Sequence, residues 1–515
     1  MMYLTALLPF ILTIGPAAAS SILFSNGTII GFKKGTSDTL DSLEVTRNGD
    51  VLVTNDRIAG IFSGPAPTSN VPNGTERIDI TDKIISTGFV DTHKHGWQTA
   101  FKTLGSNTTL AEYFLRYGEF ATEGLLTPDD VYYGQLAGIY EALNSGVTTI
   151  LDHAHHTWSN ETSEAGLRAS IDSGGRIFWS YAFHHIKNFS IEEQFANFRD
   201  LATKAEFEGS PTSLGIAYDN FGPNPDVEEV KTVMDLAKEF NISVVTTHAL
   251  GGPWGYDNSP ENLHTLGYLN NSASHGPAII FSHASYITAT SATLLRQTNQ
   301  HISITPESEM HYGHGHPVSH LIQDQASLGI DTHFTYSGDI LSQARLWLQA
   351  TRRLLHQQVL DRWHVPSANP FSVNQAFLLA TRNGGAALHR PDDIGVLAVG
   401  AKADLIVWDG TSPSMLGWRD PVSAVILHAN VGDIQHVLVD GKFRKKDFKL
   451  VDKNYETVKS KFLESAARIQ EAMMDPRRIV GDLEGSFMSG FEYERPLRVD
   501  VQPGGGDGYG RVFLD

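Results

Sequence analysis

The sequence predicts an α/β chain: a parallel (β/α)8 barrel carrying a small β unit assembled from both ends. Two observations carry that reading. Between residues 88 and 340, apolar strand candidates, eight in all, run into polar ends, and most are followed by a helical stretch. Such alternation belongs to parallel strands joined by crossover helices, and that number of units suggests a closed barrel. The second observation is a β texture that precedes the series and returns after it.

Taken in order, the chain opens with "MMYLTALLPFILTIGPAAAS", an apolar run from Tyr3 to about Gly15 followed by Pro16 and small residues. The run is short for a membrane span and ends at small residues, so residues 1–19 are expected to be a signal peptide, although no Lys or Arg precedes it. Asn-x-Ser/Thr sequons at Asn26, Asn73, Asn107, Asn160, Asn188, Asn241 and Asn270 fit a secreted, extracellular glycoprotein. In residues 20–85, "ILFSNGTIIGF", "VLVTNDRIAGIF" and "ERIDITDKIIS" are short strands punctuated by Asn, Gly and Pro turns. Residues 86–386 hold the barrel series: "GFVDTH", "GVTTILDHAHH", "RIFWSYAFHH", "SLGIAYDNFG", "ISVVTTHALGG", "AIIFSHAS", "HISITPESEM" and "THFTYSGDI". Helices are expected near 128–144, 162–173, 191–207, 226–239 and 260–268. "DIGVLAVGAKADLIVWDG" and "IQHVLVDGKFRKKDFKL" return to strands, so residues 387–450 complete the β unit. Residues 451–515 give an amphipathic helix over 453–474 and a tail containing "PGGGDGYG".

The composition narrows the function. A chain of 515 residues with 41% hydrophobic and 19% charged residues is globular and too long for one ordinary core. A net charge of −19 repels phosphates, which argues against nucleic-acid and anionic-membrane partners. A small-molecule substrate is the expected partner, and self-association into a homo-oligomer stays open. With no cysteine, the chain offers no disulfide, thiolate nucleophile or thiolate ligand, so a transition metal must sit on His, Asp or Glu.

Such ligands gather at strand ends. In "GFVDTHKHGWQTAF", His93 and His95 lie two apart on a strand and point to one side, where both imidazoles can hold one ion. A lone His-x-His pair arises often by chance. Here, however, strand five ends in His248, strand six in His283 and the eighth candidate in Asp339. Three imidazoles and a carboxylate suit one divalent ion, Zn²⁺ foremost with Fe or Mn as alternatives, and leave a position for an activated water.

The stretches "GFVDTHKH", "GVTTILDH", "TTHA", "FSHAS", "TPESEM", "SGD" and "ATRNGGAALHRPDDIGVLAVGAKADLIVWD" resemble the amidohydrolase superfamily. The likeness is strongest to its branch of cytosine, guanine and triazine deaminases and chlorohydrolases. It spans nearly the whole mature chain and implies a TIM barrel with a composite β-sandwich. By resemblance His93, His95, His248 and Asp339 are metal ligands. His283 would hydrogen-bond the attacking water or the substrate, with Asp339 also the base. The implied activity is metal-dependent hydrolysis of a C–N bond, in a cyclic amide or on an amino-bearing heteroaromatic ring.

The sequence departs from that pattern twice. Strands three and four carry neither the lysine nor the glutamate that bridges two metals, so one metal is expected. The glutamate that serves deaminases three residues after the strand-five histidine is replaced by Gly251. Leaving-group protonation then falls to Asp339, His283, Glu307 or Glu309, and dehalogenation, decarboxylation or a lyase step on a secondary metabolite becomes the alternative chemistry. A non-catalytic binding protein fits less well, because so many polar side chains are costly to bury without a metal. Gln98, three after His95, is a candidate to read the substrate, as an amide does in guanine deaminases. Glu309 and His311 are candidates for the pocket wall, ahead of His314. His153, His155 and His156 are either ligand-orienting groups or polar loop residues. Trp97, Trp158, Phe183 and Trp254 form either an aromatic wall for a flat ring or ordinary core.

Overall fold

A computed structural model describes residues 20–35, 41–204, 207, 209–255, 257–269, 276–315 and 318–496. The expected signal peptide, the Asn270 sequon and the glycine-rich tail lie outside them.

Eight parallel strands form the central sheet: β1 Phe89–Lys94, β2 Val147–Ala154, β3 Arg176–Phe183, β4 Ser213–Tyr218, β5 Val244–Ala249, β6 Ala278–His283, β7 His301–Ile304 and β8 Ala326–Leu328. Each strand pairs with the next in register, for example Thr247 with Phe281 between β5 and β6. The barrel closes where β8 meets β1. There Thr92 Oγ1 bonds Ser303 Oγ at 2.7 Å, Ser327 Oγ at 2.8 Å and the Leu328 carbonyl at 3.0 Å. Gly329 follows β8 because a Cβ there would stand 2.9 Å from both the Cβ and the backbone nitrogen of His93. β1 to β3 are buried along their whole lengths, the pattern of strands covered on both faces.

Caps start the helices. Thr127 and Asp130 form a reciprocal capping box ahead of helix Pro128–Asn144, and Ser190 with Glu193 does the same for Ile191–Thr203.

The second sheet has nine strands and draws on both ends of the chain. Ile84–Thr87 pairs antiparallel with Leu405–Trp408 and parallel with Ser21–Lys33, joining the two halves. Ile22, Phe24, Val51, Leu405, Val407 and Leu438 fill its core. A buried ion pair ties it to the barrel, Arg176 Nε donating to Asp404 Oδ2 at 2.8 Å. Helix Tyr455–Met473 packs Ala466, Ile469 and Met473 against Trp97, Phe101 and Tyr117, bracing the long loop after β1. No helix of the described residues is long and apolar enough to cross a membrane.

The strand expected at "THFTYSGDI" is a run of turns. The eighth strand lies upstream and spans only three residues, "ASL".

Candidate active site

The functional side chains meet at the mouth formed by the strands' C-terminal ends. His93 Nε2 and His95 Nε2 stand 3.4 and 3.1 Å from one oxygen, Oδ1 of Asp331, and His248 Nε2 is 3.4 Å from His95 Nε2. Asp331 sits just past β8 in a left-handed conformation (φ +69°), which turns its carboxylate inward. Its Oδ2 accepts from Ser308 Oγ at 2.6 Å.

The other ring nitrogens are engaged. His95 Nδ1 donates to the His153 carbonyl at 2.9 Å, and His248 Nδ1 donates to Asp219 Oδ2 at 2.8 Å. His93 Nδ1 bonds Ser282 Oγ at 2.8 Å. Three Nε2 lone pairs are thereby left to converge on one point, the arrangement that outer partners impose on metal-binding imidazoles. His93 Nε2 is buried without a hydrogen bond, which a cation would remedy. This donor set fits a divalent ion. Burial alone would raise the Asp331 carboxyl, yet His93 and His95 hold it well below the usual carboxylate range. Burial likewise raises Asp219, but His248 and His153 hold it well below that range, and in return Asp219 lifts His248 against its own burial.

His283 ends β6 in a left-handed turn (φ +70°), a strained conformation of the kind that collects at functional sites. Its Nδ1 lies 2.8 Å from Thr305 Oγ1, which lies 3.3 Å from Glu309 Oε1. If the threonine hydroxyl donates to the carboxylate, it accepts from Nδ1, and His283 keeps a lone pair on Nε2.

A small cavity opens above the ligands, lined by His95, His248, His283, Asp219, Asp331 and Glu119 among its polar groups. Leu110, Tyr113, Phe114, Leu250 and Tyr312 supply its apolar wall.

The structure brings together His93, His95, His248 and His283, and it moves the carboxylate. Asp339 caps helix Ile340–Leu360, its Oδ1 accepting from the Ser342 backbone at 2.7 Å and its Oδ2 from Ser342 Oγ at 2.9 Å. That carboxylate is in neither of the two donor sets close enough to share an ion, His93 with His95 and Asp331 or His93 with His153 and His248, and Asp331 takes its place. Gln98 stands behind the wall, its amide nitrogen donating to the Tyr113 hydroxyl at 2.9 Å. Glu309 is buried behind Thr305, accepting from its backbone nitrogen at 2.9 Å. His311 bonds the Gly105 carbonyl at 3.2 Å and faces Tyr312 and Tyr336, whereas His314 lines the cavity, edge-on to His283. Glu307 bonds Ser337 and Gln343, outside the cavity.

Of the strand-two histidines, His153 packs on His248 at 4.3 Å between ring centres and His155 on His95 at 4.1 Å. His156 lies apart, against Trp179. Trp97 and Trp158 pack on each other behind the site, Trp254 packs on Phe487, and Phe183 lines an adjoining cavity. Asp219 and Glu119 were not anticipated. Asp219 stands openly at the end of "GIAYD", a position where the family resemblance points only to a lysine or glutamate. Glu119 carries no local sequence signal.

The Amidohydrolase family model matches residues 84–444. A 5′-deoxyadenosine deaminase from Methanobrevibacter smithii is 26% identical over 443 residues, covering 84% of this chain and 96% of its own. An adenosine deaminase from Xanthomonas campestris with bound zinc superposes with a TM-score of 0.72 at 19% identity, over 88% of this chain and 99% of its own. An atrazine chlorohydrolase from Arthrobacter aurescens complexed with zinc does so with a TM-score of 0.71 at 17% identity, over 87% and 100%.

Proposed function

The chain belongs to the amidohydrolase family, and on that footing we propose that it is a metal-dependent hydrolase removing an amino group from a heteroaromatic ring. One observation carries the reading: three imidazole lone pairs and the Asp331 carboxylate converge beneath a cavity with an aromatic-rich apolar wall. His93, His95, His248 and Asp331 would hold one divalent ion, Zn²⁺ foremost. When bound, that ion supplies a Lewis acid that lowers the pKa of bound water towards neutrality.

The chain's own groups divide the remaining work. Asp331, anionic and fixed by Ser308, accepts the proton of the attacking water. His283 presents Nε2 to the substrate or the water from the end of β6. Tyr113, Phe114 and Tyr312 position a planar ring, and Asp219 keeps His248 in the tautomer that leaves Nε2 free. The relatives named as 5′-deoxyadenosine and adenosine deaminases support this substrate class. Gly251 favours a second reading, dehalogenation on the same ring, because chloride departs without a proton.

Ammonia and chloride release from 5′-deoxyadenosine, adenosine, a cyclic amide and atrazine, before and after chelation, tests the proposal. Ammonia release from an amino-bearing ring, lost on chelation and restored by Zn²⁺, is expected. Turnover indifferent to chelation would overturn it. A secreted glycoprotein is also proposed. The exposure of Asn26, Asn73, Asn107, Asn160, Asn188 and Asn241 supports this, and a glycosidase-induced mass shift of the exported protein would test it.

A further inference from the structure

The deamination proposed above leaves one proton unaccounted for, because the leaving nitrogen must be protonated, Gly251 stands three residues after His248, and the acid of the strand-five loop, Asp257, lies outside the cavity. Gly251 cannot be a simple exchange for a carboxylate. Its backbone (φ +68°, ψ −162°) is a conformation that side chains rarely adopt, and a Cβ would already touch Tyr286 at 3.3 Å.

Three carboxyl groups line the cavity: Glu119, Asp219 and Asp331. Asp331 is committed to His93 and His95, and Asp219 to His248 and His153. Glu119 makes no hydrogen bond or ion pair to another side chain among the described residues. It enters from the long loop after β1, at the start of helix Glu119–Thr122. Its place is fixed from behind: Trp158 Nε1 donates to the Glu119 carbonyl at 3.2 Å, and Arg478 Nη1 donates to the Ala121 carbonyl at 3.2 Å. Glu119 also lines the adjoining cavity with His153, His184 and Asp219, so it stands where the two spaces meet.

We propose that Glu119 is the general acid of the reaction, delivering from the loop after β1 the proton that Gly251 cannot. Burial raises its carboxyl above the usual range, the direction a proton donor needs. In the step, water oxygen bonds to the carbon bearing the amino group while the water proton passes to Asp331. Glu119 then gives its proton to the amino nitrogen as the C–N bond breaks with its electron pair on nitrogen, releasing ammonia and leaving the hydroxylated ring. The proton on Asp331 returns through solvent to Glu119. The sum is amine plus water giving hydroxyl plus ammonia.

The test is Glu119→Gln in the zinc-loaded enzyme, with amino and chloro substituents compared on one ring. Ammonia release should fall ~10²–10⁴-fold. Chloride release, zinc content and melting temperature should stay near those of the wild type. Ammonia release that is unchanged, or that falls in step with chloride release, overturns Glu119 as the acid. A zinc-loaded wild type that releases no ammonia from any ring overturns the proposed deamination and this role with it, a result separable from the first two by the unmutated enzyme alone.

Discussion

Exchanging Asp331 and Asp339 for asparagine, one at a time, separates catalytic geometry from helix capping. Asp331 presents Oδ1 to two imidazole nitrogens at 3.1 and 3.4 Å and Oδ2 to Ser308 at 2.6 Å. An asparagine there must either turn its NH₂ group towards the ligand lone pairs or turn it to Ser308 and offer the ligands only a neutral oxygen. Neither accepts a proton, so turnover should fall at least ~10²–10⁴-fold, before any loss of metal. Asp339 performs a local task that asparagine performs about equally well. Asp339→Asn should therefore keep turnover within about twofold and its unfolding midpoint nearly unchanged, whereas Asp339→Ala should lose about 1 kcal/mol of stability. The assay is kcat on the best substrate, with bound zinc and a urea midpoint measured on the same preparations. Asp339→Asn inactive beside an active Asp331→Asn would refute the reasoning outright.

Asp219→Asn should weaken zinc binding about 10–100-fold by releasing the His248 ring, read by competition with a chelating dye. Gly251→Glu should not raise ammonia release and should cost about 1–3 kcal/mol in a denaturant titration, because of its positive φ. His301, at the start of β7 and away from the mouth, is pushed by burial down to about 3. Its unfolded form takes up a proton below about pH 6.5 while the folded form does not, so stability is lost as pH falls. Going from pH 7 to pH 5 should cost about 2 kcal/mol through this group, and His301→Gln should flatten the measured slope by that amount.

The barrel was legible because its strands end abruptly in polar residues and helices follow. The His-x-His pair was legible because a period of two puts both imidazoles on one face. The eighth strand was not. "THFTY" is rich in β-branched and aromatic residues, the composition of a strand, yet it forms turns, while the true strand is three small or apolar residues before Gly329. That error carried the carboxylate from Asp331 to Asp339, whose Gly-Asp-Ile setting belongs to a helix start. The pocket wall was misplaced for a different reason. Tyr113, Phe114 and Glu119 reach the site through the path of a loop braced by the C-terminal helix, a tertiary fact that no local pattern encodes.

The nine-stranded sheet has a consequence for how the chain is made. Ile84–Thr87 finds one of its two neighbours in Leu405–Trp408, roughly 320 residues later. At ribosomal speeds of about 5–20 residues per second, that edge waits on the order of tens of seconds before its mate emerges. Throughout that interval an apolar strand has an open ladder of amides and carbonyls, an invitation to pair with another nascent chain. A ribosome stalled after the barrel would therefore leave a chain with its cluster of strand-end histidines complete and a sticky margin exposed. Chaperone demand during synthesis should track the length of that wait, not the stability of the finished fold.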